Sequence, residues 1–297
     1  MTRPDKTIDL HLHSTCSDGL LAPRQVVELA ARRGVAAIAL ADHDNVDGVD
    51  VAMAAGAELG VEVIAGVELS VIWGEVQDVH LLGYGFDHHH SELTASLAEF
   101  RAFRAGRNER IVERVNEKLA AQGRTPIRFE RVRQLAGGTF GRPHIARALI
   151  EAGHVVDMEQ AFRDYLVPCN VPKRFFPAEE AIALIHAAAG VAVLAHPPYL
   201  PGGRDTFLRL LDDLVPRGLD GVEVYNGGAG VEETFWYLTE TRRRGLLVTG
   251  GSDDHGRGEE GEESPGCSLG SLNVPYALYE ELLQALARRR GGACGQG

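Results

Sequence analysis

The sequence has few cysteines, and none is placed for a disulfide framework or a thiolate metal knuckle. The four cysteines are far apart and form no C-x-x-C pair: Cys16, Cys169, Cys267 and Cys294. Such spacing is typical of free thiols in a reducing compartment. The first residues, MTRPDKTIDL, reach a predicted strand at once and contain no signal-peptide apolar region. We therefore predict a cytoplasmic protein.

Long apolar runs are also missing. No stretch approaches the roughly 20 residues of a membrane-spanning helix, so we expect no membrane association. The chain is 44% hydrophobic and 24% charged, which is typical of a globular protein with a buried core. Its 297 residues allow either one large α/β barrel or two ordinary domains.

Positive charge is scarce except in one segment. The net charge of −12 argues against stable binding of duplex nucleic acid. Residues 91–175 nevertheless hold 15 Lys/Arg against 10 Asp/Glu, a local charge of +5 that leaves −17 on the rest. An acidic body with a basic insert suits a site that holds cations and receives an anionic substrate. Solvated helix faces are the alternative. No feature indicates an obligate protein partner.

Seven short apolar runs, rich in Val, Leu and Ile, predict buried strands. Helical patterns separate most of them, which favours a parallel sheet and an α/β fold, specifically a distorted TIM-like (β/α)7 barrel with a helical insertion. The predicted strands are Thr7–Leu10, Ala36–Ala41, Val61–Val67, Asp78–Gly83, Val191–Ala195, Gly221–Tyr225 and Leu246–Thr249.

Residues 91–170 break this alternation, since they have helical patterns and no convincing strand. We predict a catalytic barrel from residues 1–90 and 171–297, with 91–170 as an inserted helical lid that binds substrate. The helices predicted within the barrel are Pro23–Arg33, Val49–Leu59, Pro177–Ala189, Thr206–Arg217, Glu232–Arg244 and Tyr276–Arg290.

The stretch DLHLHSTCSDG, residues 9–19, places two histidines one residue apart. Residues i and i+2 of a strand share a face, so His11 and His13 direct both imidazoles into one space. With Asp18 they form a good ligand set for a divalent metal ion. A loop histidine pair beside a turn aspartate is the alternative, because Ser17-Asp18-Gly19 is also a turn signal.

Metal-ligating residue types recur at or near the predicted strands. Catalytic groups of a parallel α/β barrel gather at the C-terminal ends of its strands. A lone histidine is more often a hydrogen-bonded core or loop residue, but chance scatter does not produce nine such positions. Of the 12 histidines, six lie elsewhere, including the run His88-His89-His90. The nine catalytic and metal-binding candidates are His11, His13, Asp18, His43, Glu68, His80, His196, Asp253 and His255.

Six stretches spanning residues 9–255 resemble the PHP (polymerase and histidinol phosphatase) superfamily of metal-dependent phosphoesterases. They are DLHLHSTCSDG, LADHDNVDG, AGVELS, DVHLLGY, LAHP and GSDDH. The resemblance implies a site for three divalent ions, with Mn²⁺ favoured, and the imidazole and carboxylate ligands also suit Fe²⁺ or Zn²⁺. By motif match the ions would be held by His11, His13, Glu68 and Asp253; by Glu68, His80 and His196; and by Asp18, His43 and His255.

Asp44 and Asp254 stand beside predicted ligands. We predict that both orient imidazoles, with turn formation as the alternative. The chain has neither a G-x-x-x-x-G-K phosphate loop nor a G-x-S-x-G nucleophile elbow. A metal-bridged hydroxide is therefore the predicted nucleophile, and no covalent phospho-enzyme is needed.

Further stretches resemble one branch of the superfamily, which acts on nucleoside 3′,5′-bisphosphates and the 5′ ends of short RNAs. They are FRAGRNERI, GTFGRPHIARALI, YLVPCNVPKRFFPAEEAI and GVEVYN. We predict a phosphoric monoester hydrolase that converts pAp to AMP, and we leave open whether it also trims short RNA. The alternatives are a histidinol-phosphate phosphatase and a non-catalytic metal-binding or polymerase-associated module.

Six residues in these stretches are predicted to bind substrate. Arg104 and Arg107 lie at i, i+3 and share a helix face. Guanidinium groups suit phosphate oxygens, although a plain surface or turn role is the alternative for each residue. The full predicted set is Arg104, Arg107, Asn108, Arg142, His144 and Asn226.

Overall fold

A computed structural model of the chain describes residues 6–136, 141–172, 174–256 and 267–293. Strands within these ranges join in one sheet. In chain order they are β1 (Thr7–Leu12), β2 (Ala37–Leu40), β3 (Glu62–Trp73), β4 (Val76–Tyr84), β5 (Phe176–Pro177), β6 (Val191–Leu194), β7 (Gly221–Tyr225), β8 (Leu247–Gly250) and β9 (Val274–Pro275). The short strands β5 and β9 were not predicted from the sequence.

Helices separate most of the strands, and four helices follow one another between β4 and β5. The helices are α1 (Pro23–Arg33), α2 (Val49–Leu59), α3 (Ser91–Ala121), α4 (Phe129–Ala136), α5 (Arg142–Glu151), α6 (Met158–Ala161), α7 (Ala178–Ala187), α8 (Gly203–Leu214), α9 (Val231–Arg243) and α10 (Tyr276–Ala293). A π-helical turn covers Phe162–Leu166, and a 3₁₀ turn covers Pro197–Tyr199. None of the helices in the described ranges is long and apolar enough to span a membrane.

The α1 and α2 helices have the predicted bounds because their ends are encoded locally. Each is followed by a glycine in the left-handed conformation, Gly34 with φ 71° and Gly60 with φ 74°. Glycine has no Cβ and adopts this conformation without strain, so it ends a helix efficiently.

The sheet curls back on itself as a nearly closed barrel. Its strand order is β8-β7-β6-β4-β3-β2-β1-β9, with β5 paired to β3. The residues after β8 pair in parallel with the end of β1, where Asp253 N donates to His11 O at 2.9 Å and His13 N donates to Asp254 O at 3.0 Å. The predicted α/β TIM-like barrel is confirmed, with β1, β2, β3, β4, β6, β7 and β8 as its wall.

One wall strand runs against the others. The β4 strand is antiparallel to both β3 and β6, so the expectation of a wholly parallel sheet is wrong at this strand. Its direction follows from a two-residue turn, Gly74-Glu75, in which Gly74 has φ 57°. A connection this short joins antiparallel strands only, because a parallel pair needs a long crossover.

The chain divides into two compact units, residues 1–95 with 175–297 and residues 96–174. Inside the barrel of the first unit, the buried Tyr84 hydroxyl donates to Leu10 O at 2.9 Å. The second unit is helical and has an apolar core of its own, which includes Ile111, Val115 and Leu149. Each unit thus buries enough apolar surface to have a separate interior.

Candidate metal centre

The nine predicted metal-binding side chains meet at one place in the barrel unit. Strands β1, β3 and β4 carry His11, Glu68 and His80 within their length. The other six lie on loops that directly follow β1, β2, β6 and β8: His13, Asp18, His43, His196, Asp253 and His255. The loops after the parallel strands place their side chains at one end of the barrel. The antiparallel strand β4 places His80 there from the middle of the strand, where His80 pairs with Ser70 of β3.

Glu68 lies at the middle of the cluster, and its two oxygens face different histidines. Its Oε1 is 2.8 Å from His80 Nδ1 and 3.0 Å from His196 Nε2. Its Oε2 is 2.8 Å from His43 Nδ1 and 3.4 Å from the Nε2 atoms of both His11 and His13. A carboxylate placed in this way can bridge two ions.

The remaining carboxylates complete further sets of donors. Asp253 Oδ1 is 3.0 Å from His13 Nε2 and 3.6 Å from His11 Nε2. On the other side, Asp18 Oδ1 is 3.3 Å from His255 Nε2. The groups close enough to share an ion are His11, His13, Glu68 and Asp253; His43, Glu68 and His80; and His13, Asp18, His43 and His255.

This grouping differs in detail from the sets implied by motif resemblance. His43 presents Nδ1 to Glu68, while its Nε2 lies 3.8 Å from Asp18 Oδ2. His13 likewise belongs to two of the close groups. Both residues lie between neighbouring sets of donors, so the assignment of each imidazole to one ion stays a prediction.

The buried donor atoms fit divalent metal ions. Five of them have no hydrogen-bond partner: His11 Nε2, His13 Nε2, Asp18 Oδ1, His43 Nδ1 and Glu68 Oε2. Buried polar atoms are normally satisfied, and leaving one unpaired costs about 1–3 kcal/mol. Five such atoms pointing at one another are accounted for by cations between them. The donor set of imidazole and carboxylate suits Mn²⁺, Fe²⁺ or Zn²⁺.

Burial gives the cluster a closed floor and an open rim. His11, His13 and Glu68 are almost completely inaccessible. At the rim, the side chain of Asp18 is 39% exposed and that of His80 is 22% exposed. A ligand from solvent therefore reaches the cluster past Asp18 and His80, while the floor holds its groups away from water.

The charges within the cluster compensate one another. Burial opposes ionisation of His43, but the Glu68 carboxylate beside it raises the pKa of His43 to about 9. Burial likewise opposes the charge of Glu68, yet the imidazoles of His43, His80 and His11 hold its pKa well below the usual range. A proton on His43 must leave before its ring nitrogen can bind a metal ion, so metal binding releases that proton and strengthens as pH rises.

Glu223 supports two of the candidate ligands and was given no role from the sequence. Its Oε1 lies 2.9 Å from His11 Nδ1, and its Oε2 accepts a 2.8 Å hydrogen bond from the backbone N of His196. A proton held on His11 Nδ1 leaves Nε2 free for a metal ion. The sequence signal for this supporting role is a carboxylate between Val222 and Val224 in the apolar strand β7. In the structure all three residues are buried.

The backbone of His196 is itself strained. Its φ of 22° and ψ of 64° lie where non-glycine residues are rare. Conformations of this kind cost about 1–3 kcal/mol and persist only where the surroundings fix them. The hydrogen bond to Glu223 is one of the contacts that fix this one.

Other aspartates organise the loops that carry the ligands. Asp42 accepts hydrogen bonds from Ser14 N, Ser14 Oγ and Ser17 Oγ at 2.6–2.7 Å, which shapes the loop after His13. Asp254 accepts hydrogen bonds from the backbone N atoms of Gly256 and Leu269, which fits the turn role, and its role toward an imidazole stays a prediction. The two oxygens of Asp44 bind the backbone N and hydroxyl of Ser70.

Two predicted substrate-binding residues of the helical unit have structural contacts. Arg107 is buried, and its guanidinium donates to Val171 O at 2.7 Å and to Asn170 Oδ1 at 2.8 Å. His144 Nδ1 accepts a hydrogen bond from Gly141 N at 3.1 Å, at the start of α5. These contacts hold the helical unit together, and a role in substrate binding stays a prediction.

The other predicted substrate residues differ in their surroundings. Arg142 lies over the Phe162 ring, and Asn108 is buried. Asn226 donates to Glu223 O and accepts from Gly228 N, so its amide group shapes the loop after β7. The side chain of Arg104 lies outside the described part of the structure.

The fold and the donor cluster define a metal-dependent hydrolase of the α/β barrel class. A family model described as the PHP domain matches residues 9–166. The chain is 37% identical over 261 residues to the 3′,5′-nucleoside bisphosphate phosphatase of Chromobacterium violaceum, covering 86% of this chain and 90% of that relative. It therefore belongs to the PHP family, and it is an enzyme of the phosphoesterase type.

Two further comparisons agree with this membership. A 5′-3′ exoribonuclease of Haemophilus influenzae is 36% identical over 253 residues, covering 84% of this chain and 90% of the relative. A solved structure from Bifidobacterium adolescentis, described as a metal-dependent phosphoesterase, superposes with a TM-score of 0.75 at 33% identity. That match covers 95% of this chain and 96% of the other.

We expect Glu223→Gln to weaken metal binding. The amide has one acceptor oxygen, so it cannot accept from both His11 Nδ1–H and His196 N–H. Residues behind metal ligands typically change metal affinity by about 10- to 100-fold. The measurements are metal affinity by competition with a chelator, and the ¹⁵N resonances of His11 in zinc-loaded protein, which report the proton on Nδ1.

The matched control for this variant is Glu240→Gln. Glu240 is a partly buried carboxylate on α9 that pairs with Arg244, and its substitution should leave metal affinity unchanged. Equal affinities for Glu223→Gln and the wild type, with an unaltered His11 spectrum, would show that Glu223 does not position the ligand.

Proposed function

We propose that this enzyme removes the 3′-phosphate from nucleoside 3′,5′-bisphosphates, converting pAp to AMP. The observation that carries the proposal is the carboxylate of Glu68, which closely spaced imidazoles share. The chain is also 37% identical to a bisphosphate phosphatase, and the match covers 90% of that relative's length. A centre with several cations suits a phosphate monoester, which is doubly charged near neutral pH.

The centre would hold three divalent ions, with Mn²⁺ the favoured metal and Fe²⁺ or Zn²⁺ as alternatives. Glu68 would contact two of the ions through its separate oxygens, and Asp18 and Asp253 would hold charge at two sides of the cluster. Such ions supply an activated water and neutralise the charge on the phosphate. The floor formed by His11, His13 and Glu68 would exclude bulk water from the reacting group.

A substrate phosphate would enter at the open rim. Asp18 and His80 are the most exposed of the nine groups, so the scissile phosphate would approach between them. Residues of the basic helical unit would bind the second phosphate, and Arg104, Arg142 and His144 are the candidates. A phosphate held away from the reacting centre adds binding energy that positions the scissile group.

Short RNA is a second candidate substrate. The supporting observation is the 36% identity to a 5′-3′ exoribonuclease over 90% of that relative. A 5′-phosphorylated RNA end resembles a nucleoside bisphosphate, since both place phosphates on the 5′ and 3′ oxygens of one ribose. The same residues would therefore accept either molecule.

We expect about three Mn²⁺ ions per chain in fully loaded enzyme, as the three donor groups imply. Glu68→Gln should lose more metal and more activity than Asp18→Asn, because Glu68 would serve two ions and Asp18 one. Elemental analysis and kcat/KM of the two variants provide the comparison. Full activity with a single ion per chain, or equally mild losses for both variants, would contradict the shared carboxylate.

Replacement of Arg142 by alanine should slow hydrolysis of pAp but spare a small generic phosphoester. Loss of one charge-assisted contact to the second phosphate costs about 1.5–3 kcal/mol, or about ten- to a hundredfold in kcat/KM. Arg110→Ala is the matched control, because Arg110 lies over the Phe103 ring at 5.1 Å as Arg142 lies over Phe162 at 5.6 Å. A parallel decline on both substrates, or no decline, would remove Arg142 from the phosphate site.

The proposed reaction is tested by comparing kcat/KM for four compounds at one Mn²⁺ loading. We expect pAp to be hydrolysed much faster than 3′-AMP, which lacks the second phosphate, and 5′-AMP to be a poor substrate. Histidinol phosphate should react slowly, because it has a single phosphate and a cationic amine. Histidinol phosphate reacting fastest would overturn the proposal, and equal rates with pAp and 3′-AMP would indicate an unselective phosphoesterase.

A 5′-phosphorylated trinucleotide, added to the same series, separates the two candidate substrates. Turnover well above that of pAp would make RNA ends the main substrate. No release of nucleotides from the trinucleotide would restrict the enzyme to mononucleotides.

A further inference from the structure

We propose that Asp50, His88 and His89 form a separate metal site on the surface of the barrel unit, which binds one Zn²⁺, Ni²⁺ or Cu²⁺ ion. Asp50 lies in the first turn of α2, and the two histidines lie between β4 and α3. His88 Nε2 is 2.8 Å from Asp50 Oδ1, and His89 Nε2 is 3.4 Å from the same oxygen. The proposed function uses none of these residues.

The spacing of these atoms matches that of metal ligands. Two ligands bonded to one ion at about 2.0–2.2 Å are separated by about 2.8–3.6 Å when the angle between them is between about 90° and the tetrahedral value. The three ligand atoms all lie within 4.8 Å of one another, as do those of each donor group in the main centre. Their 2.8 Å and 3.4 Å separations equal those between Glu68 Oε2 and His43 or His13.

The arrangement of the two rings favours a shared ion. The ring centroids of His88 and His89 are 4.1 Å apart, although adjacent residues often direct their side chains away from each other. Both Nε2 atoms instead converge on Asp50. The backbone N of His89 donates to Asp87 Oδ1 at 3.0 Å, which helps to hold the second ring beside the first, where one ion can contact both imidazoles.

Exposure and chemistry define the kind of ion. The side chains of Asp50 and His89 are 65% and 68% exposed, so an ion reaches the site directly from solvent and keeps water on its remaining positions. Two imidazoles with one carboxylate suit Zn²⁺, Ni²⁺ or Cu²⁺.

An ion at this position would link two segments that are distant in sequence. Asp50 belongs to α2, while His88 and His89 follow β4. Binding of an ion to the folded chain but not to the unfolded one stabilises the fold in proportion to ion concentration. The site would act as a removable cross-link between α2 and the segment after β4.

The test is equilibrium dialysis of untagged protein against buffered Zn²⁺, with zinc per chain measured for several variants. At a free Zn²⁺ concentration that fills the surface site of the wild type, the wild type should bind one more zinc ion per chain than Asp50→Asn or His89→Ala. The affinity of the surface site for zinc should be about tenfold or more lower in each variant than in the wild type. All variants retain the nine residues of the main centre, so zinc bound there cancels in the difference.

His90→Ala and His186→Ala are the matched controls. His90 adjoins the site without belonging to it, and His186 makes a 2.8 Å contact to Asp220 elsewhere on the barrel unit. Both should bind as much zinc as wild type. Equal zinc in Asp50→Asn, His89→Ala and wild type would overturn the proposal, as would loss of the ion in His90→Ala with retention in His89→Ala.

Discussion

The contact on which the structure depends is that between the buried Glu68 carboxylate and the imidazoles around it. An isolated buried carboxylate is several kcal/mol less stable than one in water. Here its two oxygens lie within 3.4 Å of five imidazoles, those of His11, His13, His43, His80 and His196. Because the five imidazoles come from four segments, β3 can bury this charge only if the barrel brings all four to one end.

Residues that contact the candidate metal ligands from behind fix the positions of those ligands. Glu223 holds a ring nitrogen of His11 and the backbone of His196, and Asp42 fixes the loop after His13. His196 and Asp253 both have positive φ, at 22° and 58°. Backbone strain at these two candidate ligands indicates that the fold sets the positions of their side chains before any ion binds. The cluster is thus preorganised for cations.

Much of the barrel and the donor set could be predicted from sequence because both have local signals. Apolar runs marked the strands, glycines marked the ends of α1 and α2, and ligand-type residues followed the strands. The direction of β4 was missed although Gly74-Glu75 between two strands is a hairpin signal. Glu223 was missed because it lies inside an apolar strand, where neither its partners nor its orientation can be derived from spacing.

The arginines were harder to interpret for a physical reason. A guanidinium that binds a phosphate and one that binds backbone carbonyls have the same sequence signature, since both use the same five donors. Arg107 proved to be buried against Val171 and Asn170, contacts 63 and 64 residues away in the chain. Only the tertiary structure distinguishes such a residue from Arg142.

The barrel closes where the residues after β8 pair with the end of β1, and this affects the order in which contacts form during synthesis. His11 and His13 pair through their backbones with Asp253 and Asp254, so β1 meets its partner on this side only after some 240 further residues have been made. Contacts this distant form late and slowly, since the intervening chain must be ordered first. The donor groups that include Asp253 or His255 are therefore complete only after nearly the whole barrel has left the ribosome.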